Sequence, residues 1–440
     1  MSNRRLYHLG LDWGTSATKL VLRDYEQGQA YVLYPPGMTL TYRYPSTIAI
    51  YRNHLFFGRD AETKRPFRAR MYDAIKAEIY KLAKSSNADN DNNDLEDLAT
   101  LYLSHIISVG FDFASRHASR AKAEALMGMT LGVPAEELAS SSIRTIYLRM
   151  ARTAYEMAIR VGYDPQGRPY DDALLVLNHT RGVLDAKDDG GPSQDSLYIQ
   201  WLRPELAAAM YWGIKSPRIQ PDLYTCVDIG AFTTNASYFR IRSTSGHAPK
   251  DGIDFYGGAS EPPGVLELLK EIAVQMNQDA FSIIGEEKRY LSQSCSADCI
   301  EKFKKKYFKV WEKGFRSAYT KQPKQSAWDG KLNVMVAGGG SKIEQLAQMF
   351  YGTCPNKGWR LGQPVPDLGI PTDLYFYPKE GIISQQPYRG DLAFLLVAYG
   401  LSVHSGNFPE TRLSPQVPPF DPQTRRRVVK SHDELGYDKK

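Results

Sequence analysis

Cysteine is scarce and unpatterned in this chain: Cys226, Cys295, Cys299 and Cys354 are the only four in 440 residues. Cys295 and Cys299 form a CxxxC spacing with no second pair, Cys226 lies in an apolar stretch and Cys354 precedes Pro355. Neither a disulfide framework nor a thiolate zinc site is readable, and reduced thiols are expected. The eight histidines are scattered without an HxxxH or HExxH pattern, so a transition-metal hydrolase has no visible ligand set. His179 reads as following a strand, ALLVLN, at a place where a strand end either approaches a pocket or caps a loop. A GxSxG elbow is also missing, because in GGGSK the serine follows the glycines. Neither a secretory leader nor a membrane-length apolar run is seen. MSNRRLYHLG passes directly into a first strand, and a cytoplasmic protein without membrane attachment is expected. Charge of one sign is not in excess beyond a net +6. The basic residues are interleaved with acidic ones, and no aromatic-basic reader motif argues for a specific nucleic acid.

What the chain does have is glycine in three ordered segments: GLDWGTSATKL from Gly10, CVDIGAFTTNAS from Cys226 and NVMVAGGGSKI from Asn333. In the first, an apolar strand reaches Asp12. Gly14, Thr15 and Ser16 then supply a tight turn before a second strand, Lys19 to Arg23. Glycine lets backbone approach an anion, while successive N–H groups and small hydroxyls donate to phosphate oxygens. The second segment repeats the pattern, with a strand Tyr224 to Ile229, a turn at Gly230, the hydroxyls of Thr233 and Thr234, and a strand Ala236 to Ile241. Two such hairpins, each led by an aspartate, are suited to clamp one polyphosphate, with Asp12 and Asp228 holding Mg²⁺ through water. They also form an internal pseudo-repeat, and the expected fold class is α/β. Ligands of open α/β sheets bind at carboxyl ends of strands, where both turns fall.

With 440 residues and 42% hydrophobic content, the chain is long enough for two lobes. The first lobe is expected at 1–204 and includes a hairpin around Arg52 and Asn53 in YPSTIAIYRNHLFFGRDA. SSNADNDNNDLED reads as a mobile surface loop over 85–97, followed by a helical pattern and by a helix from Ser141 to Val161. DAKDDGGPSQDS, from Asp185, is a second loop. The second lobe, 205–407, carries the second hairpin, a turn YGGASEPPG and helices from Val265 to Tyr319. Within it, Phe303, Tyr307, Val310 and Trp311 share one helical face. From 408 to 440 the chain is rich in proline and charge, a tail that wraps the surface or is disordered.

These segments, over about Gly10 to Val403, resemble the actin-like ATPase superfamily, which includes DnaK-type chaperones, actin, plasmid-segregation filaments and sugar kinases. Asp12, Gly14 and Thr15 match its first phosphate motif; Asp228, Gly230 and Thr233 match the second. AGGGSKI, with Gly338, Gly339, Gly340 and Ser341, looks like the adenosine motif. TLGVPAE, RPELAAAMYWG and LVAYGLSV resemble further chaperone segments. YGGAS, with Gly257 and Gly258, resembles a segment whose glycines approach the phosphates, and Lys288, Arg289 and Ser292 resemble the residues that hold adenine. The resemblance implies two duplicated ribonuclease-H-like lobes around a nucleotide cleft, closest to the nucleotide-binding domain of DnaK-type chaperones but without a substrate-binding domain.

The departures are specific. Arg203 stands where chaperones carry a glutamate that organises metal and water, with Glu205 two residues on and able to substitute in part. Asn235 replaces an acidic residue, and Ala231 and Phe232 replace turn glycines. Lys19 is similar to the phosphate-contacting lysine of actin and some filament ATPases. Lys76 is a counterpart of the chaperone lysine or, as its pattern favours, a solvated helix face. The expected function is a slow, Mg-dependent ATP hydrolase, with Asp12, Lys19, Asp228 and Glu205 as catalytic residues. Its ATP/ADP switch would act on a protein partner or through self-association. A filament-forming ATPase, a nucleotide-binding scaffold with weakened catalysis and a small-molecule kinase stay open.

Overall fold

The computed structural model describes residues 3–38, 41–84, 91–188, 201–243, 250–275, 296–321, 332–351, 363–364, 370–379, 382–384 and 392–417. Strands β1 (Arg4–Trp13), β2 (Ala17–Asp24), β3 (Gln29–Leu33), β4 (Tyr44–Pro45), β5 (Ile48–Tyr51), β6 (His54–Phe57) and β7 (Arg70–Tyr72) come first. β8 (Glu124–Val133) and β9 (Leu202–Pro204) follow, then β10 (Leu223–Ile229), β11 (Thr234–Ser243) and β12 (Lys250–Glu261). The remainder are β13 (Asn333–Ala337), β14 (Gln363–Pro364), β15 (Leu374–Lys379), β16 (Ile382–Ser384) and β17 (Glu410–Arg412).

Together with helices they make a mixed α/β molecule that has, among the described residues, two main sheets, of eight and six strands. The path through the first is β16-β15-β3-β2-β1-β8-β9 with β4 paired to β2, and the second runs β14-β13-β10-β11-β12-β17. Both are built on one plan. β1 pairs antiparallel with β2 and parallel with β8; β10 pairs antiparallel with β11 and parallel with β13. The third strand of each meander, β3 or β12, takes a parallel strand from near the C-terminus, β15 or β17. A third sheet, β6-β5-β7, contains the hairpin expected at Arg52 and Asn53, both of which have positive φ.

The central strands are apolar on both sides because helices cover both faces. In β1, Leu9, Leu11 and Trp13 have no exposed surface. The helix Asp91–Arg120 packs on β8 and on the helix Ser141–Tyr155. Its stretch Asp94–Arg120 is long and apolar enough to cross a membrane by length and composition, but most of it is buried in this core. On the second sheet the helix Ser296–Lys321 covers β11 and β12 with Phe303, Tyr307, Val310 and Trp311 buried, the face its spacing predicts. Two helices join the halves. Glu205–Lys215 and Leu392–Leu401 approach so closely that a Cβ on Gly400 would lie 1.9 Å from the Ala208 carbonyl oxygen, so only glycine allows this crossing without a shift.

Four sequence expectations are corrected. Residues 91–97 of the expected loop are helical, while 85–90 lie outside the described residues. His179 lies within the helix Tyr170–Asp188 rather than after a strand, and that helix also takes the start of the second expected loop. β15, within the part assigned to a lobe of 205–407, pairs with β3 in the first sheet, and β16 pairs with β15, because a central meander needs an outer strand and the chain returns to supply it. The expected tail at 408–440 begins with ordered structure: β17 pairs with β12, and 418–440 lie outside the described residues.

Candidate active site

The β1–β2 and β10–β11 hairpins both open onto one cleft of about 520 Å³ between the sheets. Asp12, Gly14, Thr15, Ser16 and Lys19 line it from the first sheet; Asp228, Gly230, Thr233 and Asn235 line it from the second. The first turn is held from outside: Ser46 donates its hydroxyl to the Gly14 carbonyl at 2.7 Å and its N–H to the Ser16 carbonyl at 3.0 Å. The second turn is bolted to a helix start. The Val265 and Leu266 amides donate to the Gly230 and Ala231 carbonyls at 2.8 and 2.9 Å, which meets two N–H groups the helix Val265–Gln275 cannot satisfy internally.

Lys19 and Lys76 lie among the carboxylates Asp12, Glu137, Glu205 and Asp228 here. Lys19 Nζ lies 3.0 Å from Asp12 Oδ2. Lys76 is buried, donating to the Trp13 carbonyl at 2.6 Å and to Glu205 Oε1 at 2.8 Å. The solvated helix face expected for Lys76 is therefore overturned. Burial pulls its pKa down, yet Glu205, Glu137 and Asp12 outweigh that and leave it raised. Asp228 is pushed up to about 6, first by burial, then by Glu205 and Asp12, against the pull of Lys19 and Lys76. Glu137 is pushed up to about 7, mainly by burial, against the pull of Lys76.

Arg203 plays no part in the cleft. It is buried under Phe408, with its guanidinium carbon 3.8 Å from the ring centroid, and donates to the carbonyls of Gly400 and Val403 at 2.7 and 2.8 Å. Glu205, two residues later, reaches the cleft at the start of its helix. The third glycine segment contributes unevenly. Gly338 and Gly339 line the cleft; Gly338 has φ +77°, and a Cβ there would come within 2.2 Å of Asp228 Oδ1. Gly340 instead makes room for Ile229, and Ser341 donates back to the Gly338 carbonyl at 2.7 Å.

Other expected contacts fall elsewhere. Thr234 is buried and donates to the Pro263 carbonyl at 2.7 Å. Gly257 and Gly258 lie within β12 rather than in a turn, where added Cβ atoms would meet Ser317 and Ala318 or Glu136 and Ala236. They allow close packing between that strand and its neighbours, and neither lines the cleft. Lys288, Arg289 and Ser292 lie outside the described residues. Sequence reasoning missed Glu137, Lys270, Arg43 and Tyr80, which also line the cleft. Glu137 follows directly on the TLGVPAE segment, so the signal was one residue away.

The donor set suits a polyphosphate and a hard cation. Among the described residues, no group of three or more His, Cys, Asp or Glu is arranged to hold a metal ion directly. The Asn235 Oδ1 atom is buried with no hydrogen-bond partner, an acceptor of the kind that a bound ligand's donor or water satisfies. The chain matches no family model and no curated protein.

Proposed function

We propose that this chain is an ATP-binding protein of the actin-like ATPase superfamily, close to the nucleotide-binding domain of DnaK-type chaperones. It hydrolyses ATP slowly and switches a protein partner. The observation that carries this reading is the pair of aspartate-led hairpins, Asp12 on one sheet and Asp228 on the other, opening onto a single cleft with Gly338 against Asp228. The repeated strand plan of the two sheets supports two duplicated ribonuclease-H-like lobes.

In this reading the amides and hydroxyls of Gly14 to Ser16 and of Gly230 to Thr233 bind phosphate oxygens. Asp12 and Asp228 would hold Mg²⁺, and that ion would supply charge neutralisation at the transferred phosphate. Lys19 and Lys76 offset the negative charge that the phosphates bring to a carboxylate-lined cleft. Glu205, kept in place by Lys76, orients the attacking water. Closure of the sheets on ATP and their release on ADP would be the signal passed to a partner.

The test is single-turnover hydrolysis of radiolabelled ATP with Mg²⁺, with bound nucleotide measured in parallel. Wild type is expected to hydrolyse slowly and Asp12→Ala to lose the reaction. A wild-type protein that binds no ATP would sink the reading. A second reading, a filament-forming ATPase, is favoured by the Lys19–Asp12 ion pair at 3.0 Å, since Lys19 is similar to the lysine of actin-type filaments. ATP-dependent light scattering separates the two.

A further inference from the structure

We propose that Glu137, rather than Glu205, is the base that takes the proton from the attacking water. This rests on the ATPase reading above. The two carboxylates line the same cleft, but their surroundings differ. Glu205 is engaged by the Lys76 ammonium at 2.8 Å, a charge-assisted contact that fixes its carboxylate and suits it to orient a water. Glu137, on the short helix Ala135–Leu138 that follows Pro134, is buried and, among the described residues, makes no ion pair. The Tyr147 hydroxyl faces its carboxyl closely enough to draw its pKa down, though Oε2 and the hydroxyl fall outside normal hydrogen-bond geometry.

The charged and titratable groups that face Glu137 are Lys76, Glu205, Tyr147 and, on its own helix, Glu136. Burial is the largest influence and raises its pKa to about 7, where a general base works best near neutral pH. The structural reason is the Pro134 turn, which tips Glu137 inward against Tyr147 while Lys76 turns to Glu205. One cleft thus holds two carboxylates that their environments have separated, one fixed by a cation and one left to exchange a proton.

The reaction balances as follows. A water oxygen forms a bond to the γ-phosphorus as the bond to the β,γ-bridging oxygen breaks. That oxygen leaves with the electron pair as ADP, and the water's proton moves to the Glu137 carboxylate. Glu137 returns the proton to solvent once phosphate has gone.

The experiment is the pH dependence of single-turnover hydrolysis by the full chain with Mg·ATP, for wild type, Glu137→Gln, Glu205→Gln and Tyr147→Phe. Nucleotide binding is measured at each pH by equilibrium dialysis. The wild-type rate is expected to rise with pH through a limb near or above 7, because the base must be deprotonated. Glu137→Gln should bind ATP normally, lose the limb and fall by roughly 10² to 10⁴ in rate, the usual worth of a positioned base. Glu205→Gln should be slower but keep the limb. The Tyr147 hydroxyl lowers the Glu137 pKa, so Tyr147→Phe should move the limb to higher pH, a change that loss of packing alone would not produce. If Glu137→Gln binds ATP and keeps both rate and limb, the assignment is overturned while the ATPase stands. If the wild type does not bind ATP, both fall.

Discussion

Asp228 shows how one residue serves two demands. It lies on β10 at the cleft, partly open to it, and its pKa is raised from the ordinary aspartate range to about 6 by burial and by Glu205 and Asp12. A folded acid with a raised pKa holds its proton more tightly than the unfolded chain does. Its contribution to stability is therefore best below the unfolded pKa and is lost as pH rises towards about 6. In EDTA and at about pH 8, Asp228→Asn is expected to stabilise the protein by about 2 kcal/mol, allowing for water in the cleft, and to abolish hydrolysis. Chemical denaturation curves and single-turnover assays check both halves, and a destabilised variant would refute the argument. At this scale the sequence was most legible where a place on the cleft is fixed by a local turn, as for Asp12, Gly14, Asp228, Gly230 and Gly338. It was least legible where a role depends on what a distant element brings. Lys76 looked solvated because its partners, Trp13 and Glu205, lie 63 and 129 positions away. Arg203 and Glu205 were separable only by seeing which one the helix start turns into the cleft.

The two connecting helices pack one on each sheet and against each other. Leu392–Leu401 carries Gly400 against the backbone of Ala208 on Glu205–Lys215, in the same first helical turn that begins with Glu205. Gly400→Ala places a methyl group against a carbonyl oxygen, not against a flexible side chain. It should cost about 1–3 kcal/mol of stability, as overpacking does, and should lower the hydrolysis rate by displacing Glu205. Thermal unfolding with a parallel rate measurement tests this; an unchanged melting temperature would mean that the helices are free to separate. Element types were legible where periodicity was strong, as in Ser296–Lys321. They were misread where composition hid it. The Asp- and Asn-rich start of Asp91–Arg120 looks like a loop, but those residues favour the first turn of a helix. ALLVLN looks like a strand because Leu175 adds to an apolar run, yet Leu175 is 70% exposed while Ala173, Leu177 and Thr180 are buried on one helical face. No short-range signal tells β15 and β17 which sheet to join, since that choice is made by the free edges of β3 and β12.

At the scale of the molecule, the cleft has no complete wall on either sheet, and this sets a condition on ligand binding. A nucleotide that bridges the hairpins stabilises the folded protein by about 2.7 kcal/mol at a hundredfold excess over its dissociation constant, and it does so only through contacts to both sheets. Removing a phosphate-facing group from either side should therefore abolish the whole stabilisation rather than half of it. Asp12→Ala and Gly338→Ala alter opposite walls, the first by deleting a carboxylate and the second by driving a methyl group against Asp228. Each is expected to remove the rise in melting temperature that Mg·ATP gives the wild type. Lys19→Ala should reduce it only in part, because Lys76 remains as a second cation on the same wall. Differential scanning fluorimetry with and without Mg·ATP reads all three. If Asp12→Ala loses the shift while Gly338→Ala keeps it, the ligand is held by the first sheet alone, and the cleft cannot close as a switch in response to it.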